Sequence, residues 1–250
     1  AILLTVLGYQ DGVAAEWVKV FRLFKKVRKW GTPYTIDLAD VAAANDATDH
    51  NMVPQRTLVV DGLTVRYGAV VAVDDVGFRL EPGTITGLIG PNGAGKTSLI
   101  DAVSGFAHAE GSVHLDDVDL SKAPATKRAR AGIARSFQSL ELFEDSTVFE
   151  NLSVAADPQD RWSYVRDLVR PVNPPFPPEV VRAIVEFQLD HDLHRDVKDL
   201  SYGKRRLLAI ARAVAMHPSV LLLDEPAAGL SSAESLELAA VVRRLAAEWG

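Results

Sequence analysis

The run Gly90-Pro91-Asn92-Gly93-Ala94-Gly95-Lys96-Thr97-Ser98 is a glycine, four residues, then Gly-Lys-Thr. The text before it, residues 84–89 (TITGLI), predicts a buried strand. The text from Lys96 to Ser104 predicts the first turns of a helix. A loop in that position aims several backbone N–H groups inward, at the positive end of the helix dipole. Glycines at 90, 93 and 95 let the backbone approach a phosphate chain with no Cβ in the way. Asn92, Gly93, Ala94 and Gly95 then line the phosphates. Lys96 is expected on the β and γ phosphates, the Thr97 hydroxyl on Mg²⁺ and Ser98 on the α-phosphate.

Composition narrows the classes around this loop. Hydrophobic content of 48% supports a sizeable core, and a net charge of −6 argues against a general nucleic-acid binder. No apolar run reaches the roughly 18 residues that cross a bilayer. The chain has no cysteine, which excludes disulfides and thiolate metal sites.

Residues 1–56 differ from the rest. A short apolar stub, residues 1–7, precedes Val13, Trp17, Val20, Phe21, Phe24 and Val27 at helical spacing. Lys19, Arg22, Lys25, Lys26, Arg28 and Lys29 fill much of the other face. This is a basic amphipathic helix. It reads either as a helix lying along the cytoplasmic face of a membrane, the stub ending an upstream permease span, or as a helix docked on the domain. Residues 31–56 read as a linker. From 57 onward short strands alternate with helices, which implies an α/β core around a largely parallel sheet. A four-residue apolar run, Val220 to Leu223, ends in Asp224 and Glu225. Asp224 suits the Mg²⁺ shell, and Glu225 suits a base that polarises water.

Leu200-Ser201-Tyr202-Gly203-Lys204 resembles the LSGGQ signature of ABC-type ATPases. Ser201 reads as an N-cap whose helix N-terminus can face an anion. The resemblance covers residues 57 to 250 and implies a P-loop NTPase core with a mostly parallel sheet. It adds an antiparallel β subdomain near 57–80 and a helical subdomain near 140–200. It implies that Ser201, Tyr202 and Gly203 face the γ-phosphate bound to a second subunit in a head-to-tail dimer. Gln138 resembles the glutamine that joins the Mg²⁺ and water site. Tyr67 resembles the aromatic that stacks on adenine, with Val71 flanking the base. Lys96, Gln138 and Glu225 are the implied catalytic set, and Thr97, Gln138 and Asp224 the implied metal set. Residues 130–138 and 225–230 are similar to the ATP-binding subunits of branched-chain amino-acid importers. That implies MgATP, a membrane permease, an external solute-binding protein and a place on the cytoplasmic face of the membrane.

Non-transport ABC ATPases and a nucleotide-binding fragment with little turnover are the alternatives. The stretch between Gln138 and Ser201 is short and proline-broken rather than heptad, against the coiled-coil repair type. Three departures from the family pattern stand out. Lys204, Arg205 and Arg206 put positive charge in a first helical turn, against the dipole. Ser231 stands where aspartate is usual. The family's switch histidine is expected beyond Gly250, so the chain as it stands is expected to bind MgATP with little turnover.

Overall fold

Alternation along residues 58–65 shifts phase, and the first sheet is built around that shift. The computed structural model describes residues 53–137, 139–156 and 178–249. The basic amphipathic segment and most of the linker lie outside them, as do Gln138 and the proline-rich connection.

Strand β1 is Leu58–Tyr67 and β2 is Val70–Leu80. Leu58 and Val60 face the core, then Leu63 and Val65 do. The side-chain period of two has slipped by one residue. The slip is a bulge at 61–63, where the register with β2 breaks and Gly62 takes φ +59°. Across the ladder the Thr64 hydroxyl accepts from the Asp75 N–H at 3.0 Å. Each strand therefore runs through the irregularity as one continuous element. Strands β3 (Glu110–Leu115) and β4 (Val118–Asp119) complete an antiparallel sheet of order β2-β1-β3-β4. The β subdomain thus runs well past residue 80.

Helix α1 (Lys96–Ser104) buries Leu99, Ala102 and Val103, spaced three and four apart on one face. They join Leu58, Val60, Leu63, Val65, Val113 and Leu115 in one core. Gly105 closes the helix in the left-handed region, its N–H returning to Ala102 O. Helix α2 (Ala125–Ala131) sends the buried Arg128 to the same end. Its Nη1 donates to Ala102 O at 2.7 Å and Val103 O at 2.8 Å. A cation there favours the carbonyl end of the α1 dipole. Burial lowers the Arg128 pKa, against the weaker pull of Asp119.

Strands β5 (Ile133–Ser136) and β6 (Val220–Leu223) pair in parallel, Ser136 opposite Leu223. Both chains leave this ladder at the same end, at Phe137 and Asp224. Helices α3 (Val148–Ala156) and α4 (Pro178–Glu186) and two short 3₁₀ turns, Asp190–Asp192 and Val197–Asp199, form the helical part. Helix α5 (Tyr202–Val214) follows, and α6 (Ser232–Trp249) comes after β6. None of the helices searched among the described residues is long and apolar enough to cross a membrane.

One local expectation fails. Residues 84–89 form no strand, and Ile85, Leu88 and Ile89 are 57%, 46% and 92% exposed. Apolar β-rich text favours an extended chain, but a strand also needs a ladder. The described parallel ladder is β5 with β6, and no described strand pairs with residues 84–89.

Candidate active site

The phosphate loop, residues 90–95, runs into α1 exactly where the glycine spacing places it. Gly95 sits at φ +83°, a backbone only glycine adopts freely. A Cβ there would also lie 2.1 Å from Ala72 O of β2. Gly93 has φ +82° with open space around it. Asn92, Gly93 and Ala94 are exposed, and Ser98 is half-buried in the first turn. Lys96 curls back along the loop. Its Nζ donates to Gly90 O and Pro91 O, each at 2.8 Å. The ammonium therefore sits over the loop that the amides line.

The next residue of α1 reaches the end of β6. The Thr97 hydroxyl donates to Asp224 Oδ1 at 3.5 Å, a long contact between groups 127 residues apart in sequence. Asp224 is 4% exposed. A hydroxyl and a carboxylate oxygen side by side are the hard donors Mg²⁺ takes alongside phosphate oxygens and water. No group of three His, Cys, Asp or Glu side chains gathers for a metal among the described residues. The residues present therefore fit a cation held jointly with phosphate, not one caged by protein alone.

Arg135 is a member that sequence reasoning missed. It forms an ion pair with Asp101 of α1 and reaches Asp224 Oδ2 at 3.3 Å. Its guanidinium lies 4.9 Å from the Phe137 ring centroid and 5.9 Å from that of Phe106. One arginine thus orients Asp224 and ties β5 to the phosphate-loop helix. The available signal was Asp101, one turn beyond Thr97 on the same face.

Glu225 follows Asp224 and is exposed, with φ +45°. A non-glycine residue in that region is strained and needs a surround that fixes it. The Glu225 carbonyl accepts from Ala228 N–H at 3.0 Å. Gln138, the other expected member of the water site, lies outside the described residues.

Ser201 caps α5, its hydroxyl accepting from the Lys204 N–H at 3.3 Å. Tyr202 packs on Gly229, where φ is +77° and a Cβ would stand 2.6 Å from the Tyr202 ring. Gly203 lies against Glu234, whose Oε1 a Cβ would meet at 2.1 Å. Ser231 and Glu234 form a reciprocal cap at the start of α6. The backbone N–H and then the hydroxyl of Ser231 lower the Glu234 pKa. The serine that departs from the family pattern therefore caps a helix.

The basic triplet does not oppose the dipole uncompensated. Lys204 is ion-paired with the buried Asp192, which also takes Arg195 Nη1 at 2.7 Å. Burial works to raise the Asp192 pKa, but hydrogen bonds from Lys204 and Arg195, and their charge, hold it below the usual carboxylate range. Arg205 Nε donates to Leu200 O at 3.1 Å. Arg206 is 1% exposed and turned inward.

Tyr67, at the tip of β1, is 52% exposed, and Val71 on the paired strand is 42% exposed. They offer an apolar, aromatic surface at the β1–β2 turn.

Comparisons with known proteins identify the family. A family model described as ABC transporter matches residues 73–228. The high-affinity branched-chain amino acid transport ATP-binding protein BraF of Pseudomonas aeruginosa is 36% identical over 199 residues, 76% of this chain and 77% of BraF. The protein of the same description LivG, from Escherichia coli K12, is 38% identical over 200 residues, with the same shares covered. The crystal structure of a nucleotide-free ATP-binding cassette from an ABC transporter superposes with a TM-score of 0.65 at 26% identity, covering 77% of this chain and 78% of that one. The chain belongs to the ABC transporter family and is one of its ATP-binding ATPases.

Proposed function

We propose that the chain powers an importer of branched-chain amino acids or related small solutes. The observation that supports its chemistry is the meeting of Thr97 with Asp224, the residue before Glu225. The names of the BraF and LivG relatives support the substrate class.

In this reading Lys96 and the loop amides hold the β and γ phosphates and oppose the charge that develops there. Thr97 and Asp224 hold Mg²⁺, which would neutralise phosphate charge when bound. Gln138 joins that shell. Tyr67 stacks on adenine, with Val71 beside it. Glu225 accepts a hydrogen bond from the attacking water and aligns it. Ser201, Tyr202 and Gly203 meet the phosphate of a second subunit in a head-to-tail dimer. A permease and an external solute-binding protein complete the transporter at the cytoplasmic face of the membrane. The basic stretch from Lys19 to Lys29 supports that address, since each Lys or Arg near an anionic leaflet contributes about 1 kcal/mol.

Reconstitution of the protein with a branched-chain amino-acid permease partner tests the reading. Leucine uptake that requires ATP and stops with Lys96→Ala is the expected result. ATP-dependent uptake of a chemically unrelated solute in place of leucine would overturn the substrate class.

A further inference from the structure

Arg206 is enclosed by backbone carbonyls of the site's turn. Its Nη2 donates to Asp224 O at 2.8 Å and to Glu225 O at 2.5 Å. Its Nε donates to Pro226 O at 3.2 Å, and its Nη1 reaches Phe137 O at 3.1 Å. The guanidinium therefore grips the two chain exits of the parallel ladder at once: the turn at 224–226 after β6 and the end of β5. It does so from α5, five residues beyond Ser201. A planar fork carries five donors in fixed directions and can satisfy four carbonyls together; an ammonium carries only three, on one atom.

The turn needs this support. Glu225 adopts φ +45°, a conformation that persists in a non-glycine residue only where its surroundings fix it. Three of the four carbonyls that Arg206 holds belong to Asp224, Glu225 and Pro226. Displacing that turn would move the Glu225 carboxylate, and a misplacement of about 1 Å can slow a positioned reaction about 100-fold.

We propose that Arg206 is a positioning residue for Glu225, fixing the strained turn from the helix that begins with the signature residues. This rests on the reading of Glu225 as the group that aligns water. It goes beyond that reading by naming the side chain that aims it.

The test is a cycle in the full chain with Arg206→Lys, Arg206→Met, Glu225→Gln and the Lys/Gln double variant. Melting temperature, MgATP affinity and single-turnover hydrolysis are read for each. R206K keeps charge in the buried site and loses the fork. It is expected to stay folded, bind MgATP within about twofold of the parent, and hydrolyse at least about tenfold more slowly. In the Glu225→Gln background the same change is expected to add almost nothing, because both act through one group. R206M shows the cost of removing the cation and the fork together. Parental hydrolysis by R206K beside a slow E225Q would overturn the proposal alone. A full additional loss in the double variant, or affinity and melting temperature falling in step with rate in R206K, would also overturn it and leave Arg206 a structural residue. Parental hydrolysis by E225Q would overturn the assignment of Glu225, and this proposal with it.

Discussion

The Thr97 hydroxyl stands 3.5 Å from Asp224 Oδ1, although 127 residues separate them. One belongs to the first turn of α1 and the other ends β6. Their proximity requires the phosphate loop and the parallel ladder to be packed in register. Removing either oxygen should weaken nucleotide binding only when Mg²⁺ is present. Asp224→Asn is expected to lower MgATP affinity by at least about tenfold, the equivalent of a charge-assisted contact, while ATP in EDTA binds as before. Titration in the two buffers checks it; equal losses in both would place Asp224 outside the metal shell.

Lys96 contacts Gly90 O and Pro91 O and so stays over the loop. Lys96→Ala removes a charge-assisted partner for phosphate worth about 1.5–3 kcal/mol. MgATP affinity is expected to fall roughly tenfold or more. Because Lys96 donates to carbonyls of an exposed loop, the melting temperature is expected to change little. Unchanged affinity would contradict the phosphate-loop assignment.

Much of this was legible in sequence because the chemistry needs particular residues at close spacing. Gly95, Lys96 and Thr97 lie side by side, and a helix begins at Lys96 as the text predicts. Ser201 reads as a cap from local text and is one. What sequence hid depends on distant segments meeting. Arg206 sits in a basic triplet that reads as charge opposing the helix dipole, yet its partners come from Phe137 and from residues 224–226. Asp192 carries no local signal for burial, and Lys204 and Arg195 close on it only in the fold. Residues 84–89 misled in the opposite direction. Their text favours a strand, but strand formation is decided by a neighbour, which local propensity does not encode.

The Asp192 cluster predicts a pH dependence. Its folded pKa lies below the ordinary value of about 3.9. A group depressed on folding adds stability that is full above its unfolded pKa and fades as pH falls through the folded one. Asp192→Asn is therefore expected to cost about 2–3 kcal/mol near pH 7 by removing the buried negative charge that Lys204 and Arg195 share and turning an amide donor toward one of them. The difference from the parent should shrink below about pH 4. Denaturant melts across pH check it; a gap that stays constant into acid would show that charge is not what Asp192 contributes.

Gly229 and Tyr202 lock the start of α5 to the turn before α6. Gly229→Ala adds left-handed strain and a Cβ in the ring's place, an expected cost of about 1–3 kcal/mol. The melting temperature should fall by about 2–4 °C for each kcal/mol. Adding Tyr202→Ala removes the ring but leaves the strain, so part of the loss should return. No recovery in the double variant would show that the ring contact is not the cause.

Glu225→Gln bears most directly on the account as a whole, because it keeps the shape of the residue after Asp224 and removes only its carboxylate. With MgATP bound to excess protein, the account predicts parental affinity and single-turnover hydrolysis slowed by at least about 100-fold, the lower range for a lost general base. Hydrolysis at the parental rate with parental affinity would contradict it.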